Sequence, residues 1–254
     1  MIKTIGKRLV RRLGFDVVRY PRRPPQEAFP ADFDEEAVEI MRVVKPYTLT
    51  NLERLFALIQ AVRYVVRANI AGSMVECGVW QGGSMMAVAH TLKRLATEDR
   101  DLYLFDTYAG MTRPTELDIS YHGKSALVEF RRTQTTDDTS DWHSVPLDQV
   151  KCNLVSTGYN PERMKFIKGR VEDTLPCAAP AQIALLRLDT DWYESTRQEL
   201  VHLFPRLAVG GVLIVDDYGY WRGSRKATDE YLAQNNLVVL LHRIDHTGRI
   251  AVKA

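Results

Sequence analysis

Apolar positions along this chain change their period several times, and each change marks an element. Ile2, Ile5, Leu9 and Leu13 step by three, four and four, so they share one face of a predicted helix with bases around the other. Pro21, Pro24, Pro25 and Pro30 interrupt helical order over 21–30, which reads as a linker. A short helix is predicted over 35–44. Thr50 and Glu53 stand at capping-box spacing ahead of a helix from 52 to about 69, which buries Leu55, Leu58, Ile59, Val62 and Val66. From Ser73 onward, apolar runs at 74–79, 102–105, 164–167, 183–188 and 212–215 alternate with helical stretches at about 83–96, 193–207 and 224–234. This alternation predicts an α/β fold, a mostly parallel sheet with helices on both faces. The segments 238–241 and 249–252 flank His246-Thr247-Gly248 and predict an antiparallel hairpin at the sheet edge.

At 254 residues the chain supports one domain with a small appendage: a basic amphipathic segment and linker at 1–30, and the α/β domain at 31–254. A hydrophobic fraction of 45% with 26% charged residues excludes a disordered chain or a collagen-like fibre. Cys77, Cys152 and Cys177 are odd in number and widely spaced, which points to a reducing, cytoplasmic setting without a disulfide framework. No apolar run reaches the ~18–20 residues of a membrane span. The net charge of +2 hides an asymmetry, because residues 1–23 hold eight bases against one acid and the remainder is mildly acidic. An acidic body argues against a nucleic-acid-binding core. The basic segment suits peripheral contact with an anionic membrane, at the inner face of the membrane, or docking on its own domain or a second subunit.

Ligands of such sheets bind beyond the carboxyl ends of the strands, so the residues there carry the chemistry. The first run leads into Glu76-Cys77-Gly78-Val79-Trp80-Gln81-Gly82-Gly83-Ser84, a glycine turn that admits a ligand close to the backbone. The spacing is not the dinucleotide Gly-x-Gly-x-x-Gly. Asp106 ends the second run, where an acid can accept ribose hydroxyls, with Thr107 after it. Val171 and Glu172 follow the third run, placed to hold an adenine edge. Together these three strand ends read as a nucleoside site.

The fourth and fifth runs end in Leu188-Asp189-Thr190-Asp191 and Val215-Asp216-Asp217-Tyr218. Neighbouring strands would bring these carboxylates together, and like charges so close need protons, hydrogen bonds or a cation. Oxygen-only ligands favour Mg²⁺, Ca²⁺ or Mn²⁺, with Asp189, Asp216 and Asp217 as the donors. Asp191 reads equally well as a cap for the next helix. Trp192 and Tyr193 read as core, His143 and His202 as structural or surface residues. Arg222, Arg225 and Lys226 can meet a phosphate or carboxylate of a substrate, or start a solvated helix.

Four stretches (75–84, 105–111, 188–196 and 210–219) resemble the macrocin O-methyltransferase family, over roughly residues 45–235. The resemblance implies a class I methyltransferase fold, Rossmann-like with seven strands, S-adenosylmethionine as methyl donor, Mg²⁺ dependence and a sugar hydroxyl as glycosyl acceptor. It places Glu76, Gly78 and Ser84 along the methionine part, Asp106 and Thr107 near ribose, and Val171 and Glu172 near adenine. Asp189, Asp216 and Asp217 would hold Mg²⁺, with Asp189 also the general base. A lid over the acceptor would span 110–118 and the following loop, with Arg113, His122 and Lys124 as candidates, and neighbouring subunits of a homo-oligomer can complete such lids. Two rival readings remain at this point. Asp189-Thr190-Asp191 could serve a metal-dependent nucleotide-sugar glycosyltransferase, or the chain could be a non-catalytic nucleoside-binding subunit.

Overall fold

Seven strands form one sheet in the order β3-β2-β1-β4-β5-β7-β6, in a computed structural model that describes residues 29–254. The strands are β1 (Ser73–Cys77), β2 (Leu102–Asp106), β3 (Met164–Lys168), β4 (Ile183–Leu188), β5 (Leu207–Val215), β6 (His242–Arg243) and β7 (Arg249–Val252). The first five pair in parallel, and β7 runs antiparallel to both β5 and β6. The expected basic helix and most of the linker lie outside the described residues. The chain divides at 33/34; in the first unit, Phe33 N–H donates to Pro30 C=O at 3.0 Å.

In the second unit, α1 (Glu35–Val44) starts at Asp34, whose carboxylate accepts from Ala37 N at 2.9 Å. The helix α2 (Leu52–Arg67) is capped by Asn51, which accepts from Arg54 N at 2.9 Å. The expected cap, Thr50, is buried and spends its hydroxyl elsewhere. The helices α3 (Gly83–Arg94), α4 (Ala126–Thr133), α5 (Leu147–Val155), α6 (Val171–Thr174), α7 (Tyr193–Leu203) and α8 (Arg222–Gln234) complete the layers. Alternate positions of the central strands form the core face: Val75 and Cys77 of β1, Leu186 and Leu188 of β4, and Leu213 and Val215 of β5 pack with Leu200 and Leu203 of α7.

Several boundaries differ from the sequence expectation: α7 ends at Leu203 and not at 207, and β5 begins at Leu207 and not at 212. β1 stops at Cys77 because Gly78 takes φ +83° and turns the chain. The edge strand β6 forms at His242–Arg243 and not at 238–241, where Val238 and Leu240 stay 96% and 84% exposed. Among the described residues, no helix is long and apolar enough to cross a membrane.

Candidate active site

The strand order reverses between β1 and β4, which opens a crevice at their carboxyl ends. Register places Glu76 beside Arg187, and Arg187 beside Ile214. Two residues further on, Asp189 and Asp216 fall on the same face as Arg187, opposite the face of Leu186 and Leu188. Arg187 is 2% exposed, and a charge so buried needs full pairing. Its Nη1 donates to Glu76 Oε1 and Asp189 Oδ2, both at 2.6 Å. Its Nη2 donates to Asp216 Oδ1 at 2.6 Å and to Thr50 Oγ1 at 3.1 Å. Burial works against this charge, but Asp189, Asp216 and Glu76 outweigh it and hold the guanidinium well above its usual range.

A cavity of about 460 Å³ opens over this cluster, lined in part by Glu76, Gly78, Ser84, Asp106, Asp189, Asp216 and Asp217. A smaller one is lined by Thr107, Val171 and Glu172, and the two share Gly78, Asp106 and Asp189. The expected nucleoside residues are thus brought together along one track. Glu76 Oε2 is buried without a hydrogen-bond partner. Burial raises the Glu76 carboxyl to about 7 despite Arg187. A lining carboxyl with one oxygen left without a partner fits the ammonium end of S-adenosylmethionine.

Two residues do more local work than their expected contacts suggest. The Asp106 carboxylate accepts from Val79 N at 2.6 Å, Trp80 N at 3.1 Å and Tyr108 N at 2.7 Å, so it braces the glycine turn. Gly78 faces protein as well as cavity: a Cβ there would lie 2.0 Å from the carbonyl oxygen of Asp189. The absence of a side chain lets the β1 turn pass against the β4 turn that carries the acids.

Oxygens of Asp189, Asp191 and Asp217 lie within 4.8 Å of one another. Burial, with Asp216 and Asp217 nearby, pushes Asp189 well above the usual carboxylate range although Arg187 opposes it. Burial and Asp191 do the same to Asp217, and burial raises Asp191 to about 7. Three half-buried carboxyls forced toward the neutral form make a fitting oxygen-donor set for a hard divalent cation. Asp216 stands outside this trio, since its Oδ1 carries Arg187 and its Oδ2 carries Arg54 Nη1. Arg54 also reaches Asp245 Oδ2 with Nε at 3.2 Å. Asp191 does not cap α7. It adopts φ +73° and hydrogen-bonds Asp217 and Trp221, while buried Asp118 accepts from Tyr193 N at 2.8 Å in the cap's place.

Sequence reasoning missed Arg187, Arg54 and an aromatic wall. One base inside the apolar run Ile183–Leu188 was a signal for Arg187. No comparable signal marks the wall, because Trp80, Trp142 and the Tyr220-Trp221 pair come from three separate segments. Trp142 lies 5.6 Å from Trp192 and 6.5 Å from Trp221 between ring centroids. Trp192 is core, 3% exposed, as expected. Of the expected lid, Gly110 and Met111 line the larger cavity, whereas Arg113, His122 and Lys124 do not; His143, expected to be structural or at the surface, lines it too. Arg222, Arg225 and Lys226 also lie outside it.

The macrocin O-methyltransferase (TylF) family model matches residues 7–252. The demethyldecarbamoylnovobiocin O-methyltransferase of Streptomyces niveus is 32% identical over 202 residues, covering 80% of this chain and 74% of that protein. The mycinamicin III 3''-O-methyltransferase of Micromonospora griseorubida is 29% identical over 80% of this chain and 76% of its own length. The solved structure of the O-methyltransferase NovP superposes with a TM-score of 0.73 at 31% identity, covering 82% of each chain. A calicheamicin methyltransferase shares the fold, with a TM-score of 0.58 at 18% identity over 92% of this chain and 99% of that one. These matches leave no place for the glycosyltransferase and non-catalytic readings. By this family match over residues 7–252 and these relatives, the chain belongs to the macrocin O-methyltransferase family and is an S-adenosylmethionine-dependent O-methyltransferase.

Proposed function

We propose that this chain methylates a hydroxyl of a sugar residue, carried on a glycoside, glycolipid or glycosylated natural product, and that it uses Mg²⁺. The observation that carries this reading is that Asp189, Asp216 and Asp217 all line the cavity that Glu76 and Asp106 also line. Relatives support the class of acceptor: one, from Streptomyces olivaceus, is named as the 4'-O-methyltransferase of a rhamnosyl tetracenomycin.

Glu76 and Ser84 would hold the methionine part of the donor, Asp106 and Thr107 its ribose, and Val171 and Glu172 its adenine. Methyl transfer breaks the sulfur–methyl bond and forms the oxygen–methyl bond, and the hydroxyl proton passes to Asp189. Arg187 keeps the Asp189 carboxylate aimed by holding its Oδ2. The orientation of donor and acceptor supplies much of the rate, since a sulfonium methyl needs little activation. Bound Mg²⁺ would lower the pKa of the reacting hydroxyl and orient it.

Asp189 and Asp217 belong both to the expected metal set and to the converging trio. We assign the third place to Asp216, because each carboxylate oxygen keeps a second lone pair beyond its arginine contact. Asp191 then binds the acceptor's second hydroxyl.

The test is Asp189→Asn in the full chain. Turnover, followed by mass spectrometry as one added methylene on a panel of glycosides, should disappear while S-adenosylhomocysteine still binds in calorimetry. Unchanged turnover would remove Asp189 as the base. The charge of residues 1–23 supports peripheral contact with anionic lipid. Liposome sedimentation of the full chain against one starting at Phe29 tests that, and equal partitioning would end it.

A further inference from the structure

Resting on the donor's adenosine half lying along the smaller cavity, we propose that Glu199 of α7 is a positioning residue for the methyl donor. It is a carboxylic acid that keeps its proton and donates to the Thr190 hydroxyl. The first ground is where this acid stands. Ser195, Thr196, Glu199, Leu200 and Leu203 form the buried face of α7, and the two leucines pack into the core of the sheet. A place of this period calls for an apolar side chain, yet Glu199 fills it at 0% exposure. Burial, with Glu172 of α6 and Asp189 beyond β4 nearby, pushes its carboxyl well above the usual range, although Thr190 and the Cys77 thiol of β1 oppose this. None of these neighbours is a cation, and Glu199 Oε2 has no hydrogen-bond partner. An ionised carboxylate so placed would bear the full cost of a buried, unpaired charge.

The second ground is a count of hydrogens. Ser195 Oγ donates to the Trp192 carbonyl at 3.2 Å, and a carbonyl can only accept. Thr190 Oγ1 donates in turn to Ser195 Oγ at 2.8 Å. The same Thr190 oxygen lies 2.7 Å from Glu199 Oε1, and its single hydrogen is already spent. The hydrogen of that contact therefore comes from Glu199, and the three side chains form one directed chain.

Glu199 lines neither cavity, but the two hydroxyls it directs line the smaller one, together with Thr107, Val171 and Glu172. Thr190 also stands between Asp189 and Asp191 in the turn that leaves β4. Held from behind by the carboxyl, this hydroxyl keeps one orientation, and the wall that meets the donor keeps one shape. Glu199 thus acts on the donor through Thr190 and Ser195 without touching it.

Calorimetry of the full chain with S-adenosylhomocysteine compares the parent with Glu199→Gln and Glu199→Leu, each checked for folding by circular dichroism. An amide keeps a donor toward Thr190 at the size of the carboxyl, so Glu199→Gln should bind within about twofold of the parent. Glu199→Leu offers no donor and should bind about tenfold more weakly, the worth of one hydrogen bond. Urea denaturation at pH 5 and pH 7 reads the proton itself, whether or not the Leu variant folds. In the unfolded chain Glu199 ionises at about pH 4.3, whereas in the folded chain it stays neutral. The parent should therefore lose about tenfold in its folding constant per pH unit relative to Glu199→Gln. A parent–Gln difference that does not change with pH would overturn the inference, as would a Gln variant that binds as weakly as Leu, or a folded Leu variant that binds like the parent. Unchanged affinity in Val171→Phe, which fills the smaller cavity, would instead defeat the placement of adenosine there and leave the stability comparison standing.

Discussion

Glu76 at the end of β1 and Asp189 just beyond β4 share one hydrogen-bond donor, because Arg187 Nη1 lies 2.6 Å from an oxygen of each. The same guanidinium reaches Asp216 through its other nitrogen, so one cation joins the ends of three strands. It thereby couples the buried Glu76 carboxyl to the acid cluster. Removing it should leave buried acids without a counter-charge.

Arg187→Met should therefore cost about 3–5 kcal/mol of folding stability, the range for breaking a buried pair from one side. Arg187→Lys should recover part of this loss, since an ammonium keeps the charge without the planar fork. Urea denaturation of the three proteins checks both statements. A Met variant as stable as the parent would contradict the role given to this residue.

Stability should depend on pH with an unusual sign. Glu76 and Asp191 hold their protons up to about pH 7 in the folded chain, against ~4 for such groups when unfolded. Between pH ~4 and about 7 the folded state binds more protons than the unfolded one, so these groups lose stabilising effect as pH rises. Without metal, the melting temperature should fall from pH 5 to pH 7.5. Added Mg²⁺ should stabilise more at pH 8 than at pH 5.5, because it replaces protons on the cluster. A melting temperature that rises over this range without metal would refute the assignment.

Mn²⁺ binding, read by electron paramagnetic resonance, should resolve the acids. Asp189→Asn, Asp216→Asn and Asp217→Asn should each lower affinity tenfold or more, and Asp191→Asn should act mainly on the acceptor's KM. If Asp191→Asn weakens Mn²⁺ more than Asp216→Asn does, the third ligand is Asp191, as the 4.8 Å convergence would have it.

Gly78→Ala should damage both the fold and the site. Its φ of +83° disfavours any side chain, and the added carbon would meet Asp189 O at 2.0 Å. Strain of this kind costs on the order of 1–3 kcal/mol. Displacement of the Asp189 turn should lower kcat beyond what the loss of folded protein explains. Activity per folded molecule, normalised by circular dichroism, is the measurement, and a parent-like value would rule out this effect.

Period and punctuation along the chain were enough to mark five parallel strands, the helices after β1, β4 and β5 and the acids at strand ends, because those features are local. By contrast, α4, α5 and α6 between β2 and β4 were not marked. Capping was less secure. Thr50 and Asn51 are both good cap residues, and the choice fell to Asn51 because Arg187, 137 positions away, draws the Thr50 hydroxyl. The edge strand also moved from the apolar 238–241 to His242–Arg243, which pair with Ile250 and Arg249 of β7.

The amino-acid order alone thus determined the α/β architecture, the family motifs and which acids stand at the mouth of the sheet. Only the tertiary structure decided how those acids divide, with Asp216 under two arginines and Asp191 turned toward Asp217. It alone gathered Trp80, Trp142 and Tyr220 into one wall. The physical reason is range. Hydrophobic periodicity is written within a turn or a strand, whereas pairing of buried charges and packing of rings depend on contacts between segments that the chain leaves far apart.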